Sequence, residues 1–261
     1  MNMRAKTLSI SLAAVVSFLL AGATVAAEVK VMISGGLQSS YEELGPEFER
    51  ATGHKLSTQK GPSMGATPQA IPNRIDRGEP VDVVIMVGDA LGELVKRGKV
   101  VAASRVDIAN SSIAMAVKAG ALKPDIGNLE AFKRTVLAAT SIAYSDSASG
   151  VYLEKTLFPS LGLWEQIKDK ARAIPAEPVG KVVARGDAQI GFQQLSELKA
   201  VGPGIDIVGL LPPGAQKVTT FSAGIATNAQ QPAAAKALLD FLATDRAKAV
   251  MVEAGLEPIG R

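Results

Sequence analysis

The chain has 261 residues, with 28 Lys and Arg against 25 Asp and Glu, no Cys and a single His. Without cysteine, disulfide-stapled scaffolds, thiolate nucleophiles and Cys-ligated metal centres are excluded, and one imidazole cannot build a multi-His metal site. A near-balanced charge gives no drive toward nucleic acid or anionic lipid, so no nucleic-acid partner, metal or cofactor is expected.

Arg4 and Lys6 precede an uncharged run over 7–25, and Val25-Ala26-Ala27 sets small residues at −3 and −1 before Glu28. That is the order of a secretory signal peptide, so 1–27 is expected to be removed and the remainder exported to the periplasm as a soluble monomer. Losing Arg4 and Lys6 takes the formal charge from +3 to +1.

Short apolar strands then alternate with amphipathic helices. A strand is expected over 29–34, and a helix over 38–50, where Tyr41, Leu44 and Phe48 share one face until Gly53 stops it. A short strand at 55–59, a Gly/Pro/Ser loop and a helix at 71–77 follow. A buried strand at 81–87 and a helix at 90–97 complete a β-α-β-α-β-α order, which implies a parallel-rich sheet covered on both faces. His54 reads as a residue of the turn after Gly53. Strands are expected at 112–117, 140–144, 188–192 and 218–226, and helices at 129–137, near 149–150, at 178–185, 233–243 and 245–254. Two α/β lobes fit this order, one built from 28–111 with 221–261 and the other from 112–220.

Four strand-to-helix turns are made of small residues: Ser34-Gly35-Gly36, Gly61-Pro62-Ser63-Met64-Gly65, Asp146-Ser147-Ala148-Ser149-Gly150 and Ala176-Glu177-Pro178-Val179-Gly180. Any one of them taken alone reads as a helix cap and turn. Two per lobe, however, gather bare N–H groups and hydroxyls at the carboxyl ends of the strands, where anions are held.

At these turns the chain resembles the extracytoplasmic solute-binding proteins of ABC importers, the molybdate-binding type above all. Val31-Met-Ile-Ser-Gly-Gly-Leu37 is similar to that family's strand and Ala-Ala-Ser-Leu turn. Arg74-Ile-Asp-Arg-Gly-Glu-Pro-Val-Asp-Val-Val-Ile85 is similar to its Ile-Glu-x-Gly-x-Pro-Ala-Asp-Leu-Phe-Ile segment, and Arg185-Gly-Asp-Ala-Gln-Ile-Gly191 to its Val-x-x-Gly-x-Ala-x-x-Gly segment. The resemblance implies a two-lobed periplasmic binding protein fold, a ligand cleft between the lobes, a small anionic ligand and an inner-membrane ABC permease as partner.

Carried over position by position, it places the ligand among Gly35, Gly36, Ser63, Met64, Gly65, Ser147, Ser149, Gly150, Ala176, Gln193 and Gln194. The family's first ligand Ser falls on Gly36 and its ligand Tyr on Gln194, while Ser63 or Thr67 stands in for its second Ser. Lys60 and Lys181 border two of the turns as possible charge partners. Cations and amides suit planar carboxylates, so a di- or tricarboxylic acid rivals a molybdate-type oxyanion. Catalysis is not expected: Ser147 and Ser149 beside Asp146 have no imidazole to serve them, which leaves only a carboxylate pair such as Asp146 with Glu177. An adhesive role would need an aromatic surface, and aromatics make up only 4% of the chain, with Trp164 the sole Trp.

Overall fold

Residues 26–175 and 177–260 are described by the computed structural model. The expected leader, but for its last two residues, and Ala176 therefore lie outside the described residues. Among the described residues no helix is long and apolar enough to cross a membrane.

The first sheet is built from β1 (Glu28–Ile33), β2 (Lys55–Lys60), β3 (Val83–Val87), β4 (Val106–Ser111), β10 (Thr219–Ile225) and β11 (Glu257–Pro258), in the order β11-β4-β10-β3-β1-β2. The second holds β5 (Ile113–Lys118), β6 (Ile142–Ser145), β7 (Ala171–Ile174), β8 (Ile190–Gln194) and β9 (Ile205–Leu210), in the order β7-β6-β8-β5-β9. The strands joined by helical crossovers, β1 with β2 and β3, and β6 with β7 and β8, pair in parallel. Strands next to the passages between the sheets, β4, β5, β9 and β10, pair antiparallel, so both sheets are mixed. The chain passes from one sheet to the other twice, between β4 and β5 and between β9 and β10.

Side-chain alternation explains the layers. On β1, Val29, Val31 and Ile33 face the core that α1 (Gly35–Thr52) covers with Leu37, Tyr41, Leu44 and Phe48. Met32 points the other way, into the core that α2 (Ile71–Asp76) and α3 (Gly88–Lys96) cover with Ile71, Ile75, Leu91 and Leu94. Gly53 at φ 77° ends α1 and donates its N–H to the Glu49 carbonyl. The His54 imidazole accepts the Ala27 N–H through Nδ1 at 3.2 Å.

The second lobe repeats the plan. Ile113, Met115 and Val117 meet Phe132 and Val136 of α4 (Leu129–Ala138) on one face, where Trp164 also packs. Ala114 and Ala116 meet Val179, Val182 and Val183 of α8 (Val179–Arg185) on the other. Between β6 and α8 run α5 (Ala148–Tyr152), a π turn over Leu153–Leu157, α6 (Phe158–Ser160) and α7 (Trp164–Ile167). The C-terminal α10 (Pro232–Leu242) and α11 (Asp245–Glu253) return to the first sheet and share a core with α1.

Two departures from the sequence reading bear on the site. The strand expected at 188–192 lies two residues later, so Gln193 and Gln194 are inside β8 rather than after it, and both are buried. A five-residue helix not foreseen, α9 (Leu195–Lys199), follows at once. It is too short to show helical periodicity in the sequence.

Candidate functional site

A cavity of about 220 Å³ opens where the two sheets' helix starts converge. Its walls come from the starts of α1 and α5, the loop after β2, the turn before α8, the end of β8, α9 and Phe221 of β10. Five hydroxyls line it, from Ser34, Ser63, Ser145, Ser147 and Ser149, along with the amides of Gln38, Gln69, Gln193 and Gln194.

Several of these polar groups are held ready rather than used up. Ser34 is the N-cap residue of α1, yet its side chain makes no capping bond. Its Oγ and the Gln194 Oε1 are both buried without a hydrogen-bond partner. Leaving such groups unpaired costs about 1–3 kcal/mol each unless a ligand satisfies them. Ser63 is fully buried and its Oγ accepts the Val87 N–H at 3.0 Å, which leaves its hydroxyl proton to give. Ser145 and Ser149 share a hydroxyl–hydroxyl bond of 3.0 Å. The Gln193 Oε1 accepts the Val179 N–H at 2.9 Å and the Gln194 Nε2 donates to Thr219 at 3.0 Å, so both amides are fixed in orientation.

The cavity's electrostatics are set by one cation, Lys60, and three acids, Asp146, Glu177 and Glu197, among the described residues. Lys60 is paired with Glu42. Glu177 is gripped by both guanidinium nitrogens of Arg185, at 2.5 and 3.3 Å, which lowers its pKa. Glu197 goes the other way. Burial of its carboxyl in the cleft wall, with a smaller contribution from the negative charge of Asp146, outweighs the hydrogen bonds from the Gln194 N–H and the Gln193 amide. The result is pushed up to about 7. A carboxyl of that strength both takes and returns a proton near neutral pH.

Of the residues expected at the site, Gly35, Gly36, Lys60, Ser63, Ser147, Ser149, Gln193 and Gln194 line this one cavity. Met64, Gly65, Gly150 and Lys181 do not. Met64 packs against the core under α1. Gly65, at φ 109°, faces the Asp146 carbonyl across the cleft, near enough for an added Cβ to touch it at 3.4 Å. Gly150 sits against the Ser145 backbone, where a Cβ would come within 1.6 Å of the carbonyl oxygen, so it supports the loop from behind. Lys181 is exposed on α8. Ala176 lies outside the described residues.

Ser34, Gln38, Asp146, Glu197 and Phe221 join the walls without having been assigned there as ligands. For Glu197 a signal existed. Gln194 is the N-cap of α9 and Glu197 its third residue, the spacing at which a Glu folds back onto the N-cap N–H. That pattern announces a helix start and says nothing of a cavity.

The described geometry is matched by what the chain is similar to. Residues 29–257 match the family of bacterial extracellular solute-binding proteins. An aconitate isomerase from Pseudomonas sp. is 58% identical over 229 residues, 88% of this chain and 87% of that protein. The molybdate-binding protein ModA of Azotobacter vinelandii is 31% identical over 239 residues, 89% of this chain and 91% of that one. The solved periplasmic molybdate-binding protein of Azotobacter vinelandii superposes with a TM-score of 0.69 at 21% identity, covering 87% of this chain and 98% of its own. The isomerase corrects the expectation of a chain without catalysis. That expectation rested on the lack of an imidazole beside the serines, and it did not consider the Glu197 carboxyl.

Proposed function

The chain belongs to the bacterial extracellular solute-binding proteins, and on that footing we propose that it is an enzyme that isomerises aconitate in the cleft between its lobes, with Glu197 as the proton-transferring group. The observation that carries this reading is the place of the Glu197 carboxyl in a cavity walled largely by hydroxyls and amides, where burial pushes its pKa up to about 7. The similarity to an aconitate isomerase over 88% of the chain supports the choice of substrate. The lobes are taken as 28–111 with 221–261, and 112–220.

The chemistry follows from the substrate. Aconitate carries a methylene carbon next to a carbon–carbon double bond, flanked by three carboxylates. A double bond does not rotate freely, and with no Cys in the chain a thiolate cannot add across it. Removal of a methylene proton by Glu197 breaks one C–H bond, and its electron pair becomes a new π bond to the central carbon. The old π pair then takes a proton at the far carbon, delivered by Glu197 or through Asp146. Vinyl and methylene carbons exchange places, and the new double bond takes the geometry in which the cleft holds the chain. Negative charge grows on the carboxylates as the C–H bond breaks. The hydroxyls of Ser34, Ser147 and Ser149 and the N–H groups at the helix starts stand where they oppose it without reorganising.

Dipoles supply most of this cradle, with Lys60 as a partly exposed cation at its edge. A carboxylic acid rather than a molybdate-type oxyanion is the ligand this set favours, because an acid–base group has no task in holding a fully ionised oxyanion. Export and an association with an ABC permease, which go with the family resemblance, are part of the same proposal. The test is to incubate the purified protein with trans-aconitate and follow the cis isomer by proton NMR. Conversion is expected; tight binding with no conversion would overturn the enzymatic reading.

A further inference from the structure

The first turn of α1 is made of two glycines, the residue that favours a helix least after proline. Neither has the positive φ that would call for glycine on backbone grounds. What each lacks is room. A Cβ on Gly35 would stand 1.9 Å from the Glu197 Oε1 and 2.9 Å from its Cδ. A Cβ on Gly36 would stand 2.1 Å from the tip of the Phe221 ring and within 2.6 Å of the two carbons beside it.

Phe221 has nowhere to go, and Glu197, the end of a flexible side chain, can move only by giving up its hydrogen bonds. The Glu197 carboxyl is tied to the Gln194 N–H and the Gln193 amide, and the amide is itself fixed by the Val179 N–H. Phe221 is 3% exposed and its ring belongs to the core of the first sheet. Ser196, next to Glu197 on α9, holds the same turn by donating to the Gly36 carbonyl at 2.7 Å. Helix α1 thus gives up two side chains at the cleft wall, and a carboxyl and an aromatic ring occupy the space.

We propose that Gly35 and Gly36 are the positioning residues that set the chemistry of this cleft: Gly35 admits the Glu197 carboxyl, and Gly36 admits the Phe221 ring as a flat apolar wall for the planar, unsaturated part of the substrate. This rests on the reading of the protein as an aconitate isomerase and deepens it. Selectivity for a conjugated acid over a tetrahedral anion then comes from missing side chains in the first lobe, not from an added ligand.

The experiment compares wild type with Gly35→Ala for turnover of trans-aconitate, for the pH profile of kcat/KM and for the melting temperature of the unliganded protein between pH 5 and pH 8. Gly35→Ala is expected to lower kcat at least about 100-fold, on the scale of losing a general base, while KM changes by less than about fivefold. The inflection of the profile near pH 7 is expected to fall toward the ordinary carboxylate range as the carboxyl is pushed toward solvent. Glu197→Asp added to Gly35→Ala shortens the acid by one methylene, vacates the space and is expected to regain part of the turnover. Should Gly35→Ala fail to fold, the double variant carries the test, and turnover far below that of Glu197→Asp alone, or no recovery of folding, would overturn the proposal. So would wild-type kcat and an unmoved profile in Gly35→Ala. Were the wild type not to convert aconitate at all, the functional reading would fall instead, and the melting curves would still decide: the proposal expects Gly35→Ala to lose the Glu197 component of the wild-type pH slope, and an unchanged slope contradicts it.

Discussion

The Ser196 hydroxyl donates to the Gly36 carbonyl at 2.7 Å, joining α9, which follows β8 of the second sheet, to the first turn of α1 beside the first. Both residues are buried, and Glu197 is the next residue in the chain. The position of Glu197, the proposed base, therefore depends on a bond between α9 and α1. Ser196→Ala removes one buried hydrogen bond, while the Gly36 carbonyl keeps its place in the α1 ladder, and is expected to cost about 0.5–1.5 kcal/mol of stability. Because α9 then loses its tether, kcat for trans-aconitate is expected to fall with little change in KM. Calorimetry and steady-state kinetics on the same preparation check this.

Glu197→Gln keeps the shape of the side chain and removes its ability to accept a proton. Turnover is expected to drop by about 10²–10⁴, the range for loss of a general acid–base group. Stabilisation by trans-aconitate in a thermal shift is expected to persist, since binding rests on the hydroxyls and amides. Loss of binding with intact chemistry would be the opposite pattern.

The raised pKa of Glu197 also sets a pH dependence of stability. Its ordinary value is 4.5 and its value in the fold about 7. Between these the unfolded chain is ionised there while the folded one keeps the proton, so the fold binds more protons and loses stability as pH rises. The contribution is complete below pH 4.5 and gone above about pH 7. Unliganded wild type is expected to melt lower at pH 8 than at pH 5.5, and Glu197→Gln to lack this component of the slope.

Ser34 lines the cavity with an unpartnered, buried hydroxyl. Ser34→Ala removes one hydrogen bond to a charged ligand and is expected to raise KM by about 10- to 100-fold, corresponding to roughly 1.5–3 kcal/mol. Since the unliganded protein gains nothing from that hydroxyl, its melting temperature is expected to stay level or rise slightly. Titration calorimetry with trans-aconitate and a melting curve without it separate the two effects.

Much of the frame was legible because burial leaves a pattern. The apolar runs along 29–33 and 83–87, glycine stops such as Gly53, and the spacing of Tyr41, Leu44 and Phe48 all report what meets a core. The motif over 74–85 marks the family, and the structure gives its acid a purely architectural role. Asp82 is buried, with one oxygen accepting the Lys30 N–H at 2.8 Å and the other the Gln230 and Gln231 N–H groups at 2.6 and 3.0 Å. It ties β1 to the start of α10. The cavity was half legible: small residues at helix starts announced close approach, and eight of the expected positions share its walls. Glu197 was not, because in sequence it is a glutamate at the third position of a very short helix. Only the fold shows the absent Gly35 side chain, the nearby Asp146 and the burial that together change its chemistry.

The most direct measurement uses trans-aconitate carrying ¹³C at its methylene carbon. With Glu197 moving a proton along the allylic system, the cis product of the wild type is expected to carry the label at a vinylic carbon, and Glu197→Gln to form it about 10²–10⁴ times more slowly. A cis product in which the label remains at the methylene carbon would contradict this mechanism, as would unimpaired conversion by Glu197→Gln.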